Sequence, residues 1–343
     1  MKEFIFSDIP YKLPLSLNEF QKRMYAHLIE WKWKNITTLP GKLNSHGGEK
    51  EYDAVLPENV RDSMPLIYPP AKRDLAAHIK LFPFSFHRYF HSMASSQAAL
   101  INLFLPLLLH PGANAVFRQV KPGFKSLATD KLYKGFRLGF RGGSDEGCEE
   151  ALGDYHSGSC TEAGIAIAYY DNGGELCLWL INHKFAEKDF AHCRASRNKG
   201  LDPERHFCDR TFSEIAANKN LCYYHDVKGF RYWELSEARE SFFANHHELE
   251  ECPFRHGMNE LWRIQLMALA IEAGNEYPRV FFSVVKHPGN SSVDKTIGAY
   301  KRLIGNDPSF SVINSSEIAS AAQSLNELRL NRWVEWYRGL YMV

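Results

Sequence analysis

Apolar residues recur along this chain at two different periods, and each period predicts its own kind of element. From Ser16 to Trp33, the residues Phe20, Met24, His27, Leu28 and Trp31 return at helical spacing behind a serine that can cap the first turn. Asn35 to Pro70 has no period and is rich in Gly, Pro, Asn and charge, which predicts a long ordered loop or arm that either is functional or wraps the core. Ala71 to Leu81 reads as a short helix. Within His87 to Leu109, the run SSQAALINLFLPLL is apolar nearly all round and predicts a buried helix capped by Ser95 or Ser96.

The clearest alternating pattern follows at Thr161 to Lys184. Ile165, Ile167 and Tyr169 alternate with small or aromatic residues, and Asp171-Asn172-Gly173-Gly174 supplies residues that tolerate a turn. Leu176 to Ile181 is then almost continuously apolar. Two such runs around a Gly-rich turn predict a hairpin, with its second strand buried on both faces. That strand emerges abruptly at Asn182-His183-Lys184, where chemistry is expected.

Beyond the hairpin, Ala186 to Arg231 is polar and weakly periodic. Phe230 to Leu235 reads as a strand and Ser236 to His247 as a helix. Gly257 to Glu272 carries Leu261, Ile264, Leu266, Leu269 and Ile271 and predicts a helix. Val280 to Val285 reads as a strand, Ser292 to Ile304 as a helix and Phe310 to Ile313 as a strand, before one or two closing helices over Ser315 to Met342. The order predicts a mixed α/β domain.

Composition narrows the function classes. The 343 residues are 45% hydrophobic and 24% charged with a net charge of +1, so nucleic-acid binding, if present, must use a local patch. Met1 to Pro14 lacks a signal-peptide pattern, and Ala98 to Leu109, broken by Asn102 and Pro106, is too short to span a bilayer. Seven cysteines without a secretory signal predict a reducing, cytoplasmic setting and no membrane partner. There is no Walker loop, HExxH helix or Ser-His-Asp signature, and Gly139, Gly142 and Gly143 do not form a dinucleotide-binding context.

The hairpin resembles that of the PD-(D/E)XK nuclease superfamily, whose fold is the restriction-endonuclease-like one. Asn182-His183-Lys184 sits where the (D/E)-x-K tripeptide belongs, and Gly164, eighteen residues earlier, sits where the first acid belongs. The resemblance implies an α/β, restriction-endonuclease-like core with a mixed central β-sheet flanked by helices. It implies one nuclease-like domain over 1–343, with an N-terminal helix and arm over 1–94, the core over 95–290 and a C-terminal helical closure over 291–343.

The implied parent reaction is Mg²⁺-dependent hydrolysis of DNA, as in restriction or anti-phage defence, with a homodimer or a defence-system protein as further partners. Lys184 matches the family's catalytic lysine, whereas neither metal position carries an acid. Glycine offers no ligand, and a neutral amide is a weak one for a hard cation. Three readings stay open: a nuclease disabled at both positions, a degenerate fold that only binds DNA or protein, and a site whose acids have moved, with Glu162 in place of the first. The resemblance also nominates Gln265, at the place of a helical glutamine, as a group orienting the lysine. Gln97, on the helix before the hairpin, would lend the site a polar group; Arg263 and the strand-end pair Lys286 and His287 would reach nucleic acid.

Two further clusters remain. Lys121, Lys125, Lys131, Lys134, Arg137 and Arg141 interleave with Phe124, Tyr133, Phe136 and Phe140, as a strand-tracking nucleic-acid surface would, or as a solvated strand pair with aromatic inner positions. Cys193, Cys208, Cys222 and Cys252, with His192, His206, His225 and His256 nearby, are candidate ligands for Zn²⁺ or an iron–sulfur cluster. Their long spacings lack a CxxC pair, so buried structural cysteines are the competing reading.

Overall fold

The expected hairpin forms the middle of the molecule. In the computed structural model, residues 4–6, 9–13, 16–45, 48–142, 152–154, 160–195, 208–239 and 250–343 are described. The N-terminal part contributes β1 (Phe4–Phe6), β2 (Ile9–Tyr11), α1 (Glu19–Asn35), β3 (Gly41–Ser45), β4 (Gly48–Tyr52), α2 (Glu58–Arg61) and α3 (Lys72–Leu81). The middle comprises α4 (Ser96–Leu108), α5 (Ala113–Val120), β5 (Phe124–Leu127), β6 (Phe136–Phe140), β7 (Ala163–Asp171) and β8 (Leu176–Lys184). Then come α6 (Phe212–Ala217), α7 (Tyr223–Asp226), α8 (Tyr232–Glu237), α9 (Asn259–Ala273), β9 (Arg279–Lys286), α10 (Asp294–Leu303), β10 (Phe310–Asn314), α11 (Ser315–Ser324) and α12 (Leu328–Tyr341).

The main sheet runs β10-β9-β8-β7-β5, with β6 also paired to β7. β8 is central: antiparallel to β7, with Ile165 opposite Ile181, and parallel to β9, with Lys184 opposite Lys286. This is a mixed sheet between helical layers, as the α/β expectation required. Successive residues of β8 point to opposite faces. Trp179 and Ile181 join one buried cluster with α4, α5, α11 and α12, while Leu178 and Leu180 join the other with α9 and α10. By the same alternation, Asn182 and Lys184 share the α9 face.

Helix α4 is buried as its all-round apolar pattern predicts, and Ser95 caps it by accepting from the Ala98 N–H at 3.2 Å. Its one interior polar side chain, Asn102, is fully buried. It accepts from the Tyr68 N–H (2.8 Å) and donates to Leu66 O (2.7 Å) and the Tyr341 hydroxyl (2.8 Å).

Three expectations change. The cap of α1 is Asn18, because its side chain and that of Gln21 hydrogen-bond each other's backbone N–H groups reciprocally. The stretch expected as a loop from Asn35 holds the β3–β4 hairpin and α2; a two-stranded hairpin with little apolar surface leaves no period to read. The stretch Phe230 to Leu235 is not a strand. Tyr232 and Trp233 start α8 and bury their rings 5.3 and 5.2 Å from that of Trp262, so aromatic strand preference yields to tertiary packing. Of the helix expected from Ser236 to His247, residues 240–247 lie outside the described residues, as do Gly143 and His206. Among the described residues, no helix is long and apolar enough to cross a membrane.

Candidate active site

The end of β8 and the first turn of α9 build one connected polar site. The Asn182 Oδ1 accepts from the Gly164 N–H at 2.7 Å, and its Nδ2 donates to Glu260 Oε1 at 3.2 Å. Lys184 Nζ donates to Glu260 Oε2 at 2.8 Å, and that oxygen also accepts the Ala191 N–H at 3.0 Å. Positions 164 and 182 therefore adjoin. A Cβ at Gly164 would lie 3.6 Å from Asn182 Oδ1, 3.0 Å from Leu100 Cδ1 and 3.3 Å from Ile181 O.

Charge organises this site. Burial opposes the Lys184 ammonium, but Glu260, with Glu187 and Asp189 further out, outweighs it and holds the lysine above its ordinary value. Burial likewise opposes the Glu260 carboxylate. The Lys184 charge and the hydrogen bonds from Lys184, Ala191 and Asn182 more than compensate, keeping it below the ordinary carboxylate value. The two form a part-buried pair, with Lys184 buried and Glu260 partly exposed, and both are charged at neutral pH. Glu187 closes the turn after β8 by accepting from the Ser96 hydroxyl and from the Phe185 (2.9 Å) and Ala186 (3.1 Å) N–H groups. His183, on the opposite face, is pushed down to about 3, mainly by burial, and stays neutral.

Sequence reasoning missed Glu260. An acid in the first turn of a helix is commonplace, since it complements the helix dipole. Only the packing of α9 on this face of the sheet brings it to the end of β8.

The other nominated residues do not converge on Lys184. Glu162 pairs with Arg141 at 2.9 Å. Gln265, five residues along α9 from Glu260, is buried and donates to the Ser309 hydroxyl at 3.0 Å. Arg263 is held by Asp154 (3.0 Å) and the Thr161 hydroxyl (3.0 Å), with Tyr232 also donating to Asp154. Lys286 pairs with Asp294 at 2.6 Å, and His287 bonds the Tyr341 carbonyl at 2.9 Å from a buried position. Gln97 accepts from the His87 N–H at 2.8 Å and donates to Ser85 O at 3.3 Å, bracing the loop before α4.

In the basic, aromatic stretch, Phe124, Phe136 and Phe140 are buried. Lys121 is buried as well, with Nζ 3.8 Å from the centre of the Phe281 ring. The four cysteines enter one neighbourhood. Cys193 N–H donates to Phe254 O (2.9 Å), Cys208 N–H to Ala195 O (3.4 Å) and Cys252 N–H to Arg210 O (3.3 Å). Burial pushes the Cys222 and Cys252 thiols up. Among the described residues, no three His, Cys, Asp or Glu side chains are placed to hold a metal ion.

The strand-end donor set does not suit Mg²⁺. Among the described residues, Glu260 is the one carboxylate hydrogen-bonded to Asn182 and Lys184; it is already engaged by an ammonium, an amide and a backbone N–H, and the Asn182 oxygen is committed to Gly164.

No curated protein and no solved structure matches the chain significantly. A family model described as Restriction Endonuclease associating with ARP does match, over residues 27–342, a span that holds the whole strand-end site. The chain belongs to that family of restriction endonucleases.

Proposed function

We propose that this chain is a DNA nuclease of the PD-(D/E)XK type whose hydrolytic site is disabled at Gly164 and Asn182. The observation that carries this reading is the strand-end constellation. A catalytic-type lysine closes a central strand beside adjoining positions 164 and 182, and an ion pair to Glu260 stands where acids and a divalent cation would belong. Phosphodiester hydrolysis needs charge neutralisation and an activated water beside phosphorus. Lys184, bound to Glu260, is spent on a stable pair.

The same pair favours one alternative, a module that keeps the fold to bind DNA or a protein. A site that satisfies its own charges holds its shape without cutting. The family description supports association with ARP as the partner for that role.

Plasmid cleavage in Mg²⁺ or Mn²⁺ separates these readings. Three proteins are compared: the chain itself, Gly164→Asp/Asn182→Glu, and that double variant with Lys184→Ala added. The aspartate requires that the flexible end of Leu100, 3.0 Å from the new Cβ, and the Ile181 carbonyl oxygen, 3.3 Å from it, each give by a few tenths of an ångström. We expect the double variant alone to cut. If none of the three cuts while DNA or ARP is still bound, the binding module is correct. Cleavage by the unaltered chain would instead make Glu260 a migrated acid, and Glu260→Gln should then abolish it.

A further inference from the structure

Beside the strand-end site stands a loop whose exposure its composition does not explain. Ser85, Phe86, His87, Arg88 and Tyr89 are consecutively exposed, and Phe86 and Tyr89, each 38% exposed, follow closely after Leu81 at 57%. Three of the large apolar side chains left open to solvent among the described residues thus fall within nine positions. Single exposed apolar residues need no account, but such a concentration marks an interaction surface.

The loop is rigid rather than merely exposed. Gln97 grips it through the His87 N–H (2.8 Å) and Ser85 O (3.3 Å), and Phe90 N–H closes on His87 O at 2.7 Å. The bonds Leu56 N–H to His91 O (2.9 Å) and Met93 N–H to Ala54 O (2.8 Å) tie its C-terminal end down, and Phe90 is buried. The loop adjoins the site, because Gln97, which holds it, follows Ser96, whose hydroxyl donates to Glu187 and accepts from the Phe185 N–H at 3.1 Å just past Lys184. The Phe86 ring stacks on Phe90 with centroids 4.1 Å apart, and the Arg88 guanidinium sits 4.5 Å from the Tyr89 ring centre.

We propose that the loop Phe84–Tyr89 is the nucleic-acid-gripping rim of the site and that its ligand is an unpaired DNA strand. The bases of an unpaired strand offer their faces to aromatic rings without the cost of opening a duplex, and each stacked base adds affinity with little regard to sequence. The Arg88 guanidinium, held against Tyr89, supplies a charge for an adjoining phosphate. A preformed loop loses little freedom on binding. Gln97 is then a positioning residue, acting through the backbone of the loop. This inference rests on the DNA reading above and assigns it a strand form and a contact element.

The test is fluorescence anisotropy of a labelled single-stranded oligonucleotide and of a duplex of equal length, with the full chain, across a salt series. We expect tighter binding of the single strand. Phe86→Ala and Tyr89→Ala should each weaken it by about fivefold or more, with Tyr89→Trp restoring it. Arg88→Gln should reduce the salt slope by about 0.7. Gln97→Ala should weaken binding while leaving the salt slope unchanged. An exposed apolar residue elsewhere, Leu328→Ala, should change nothing. If the chain binds DNA and neither aromatic variant weakens it, the rim proposal is overturned while the DNA reading stands. If the unaltered chain binds neither oligonucleotide, both fail.

Discussion

Asn182 and Glu260 are chemically matched, so changing either alone takes a partner from the other. The amide donates to Glu260 on one side and accepts from Gly164 on the other. A carboxylate at 182 would set two like charges side by side, forcing one to take a proton or to recruit a cation. The Lys184–Glu260 pair is largely withdrawn from solvent on the lysine side, so removing one partner leaves the other charge poorly compensated. Lys184→Met and Glu260→Gln should each cost about 3 kcal/mol, and the two together less than the sum, as a double-mutant cycle by urea denaturation would show. A fully additive cycle would mean the pair is not coupled.

The pH dependence follows from the two directions. Glu260 is depressed, so its contribution is present above the unfolded carboxylate value, about 4.3, and is lost as pH falls through its folded value. Lys184 is raised, so its contribution is present below the unfolded lysine value, about 10.4, and is lost as pH rises through its folded value. The stability difference between the chain and the Lys184→Met/Glu260→Gln variant should therefore be flat from about pH 5 to 10 and change outside that window. His183, pushed down to about 3, makes both proteins less stable as pH falls below the unfolded imidazole value, about 6.5, and so cancels in the difference.

At the scale of elements, α4 shows how one polar residue is kept inside an apolar helix. Asn102 satisfies Tyr68 N–H, Leu66 O and the Tyr341 hydroxyl, and its own carbonyl accepts from Trp333 Nε1 at 2.8 Å. Asn102→Ala would leave those side-chain partners buried and unmet, at about 2 to 4 kcal/mol, measurable as a lowered denaturation midpoint. An unchanged midpoint would mean that water or repacking replaces the amide.

The same scale shows where periodicity reads well. The helix α4 and the β7–β8 hairpin are legible because their apolar patterns are long and uniform. The helix α8 is not, since Tyr232 and Trp233 favour a strand by themselves and turn helical only against Trp262.

For the whole molecule, the C-terminal helices act as a clasp. His287 holds the Tyr341 carbonyl, His27 meets Gly339 O at 2.9 Å, and the Trp31 and Trp336 rings meet edge to face at 6.2 Å. These contacts join α1, β9 and α12 across one face of the sheet. Deleting residues 328–343 should uncover α4 and abolish a cooperative thermal transition by circular dichroism, whereas a sharp melt would show that the clasp is dispensable.

By itself, the sequence determined the central hairpin, the abrupt polar end of its second strand, the place of Lys184 and the lack of acids at 164 and 182. Those features are local, written in alternation and in residue identity. Tertiary structure alone decided that Glu260 answers Lys184 and Asn182, and that Gln265, Arg263, Lys286 and His287 spend their polar groups elsewhere. Helix α9 presents many side chains, and only the way it packs on the sheet chooses which one meets the strand end. That choice depends on the packing of two distant segments, which no period along the chain records.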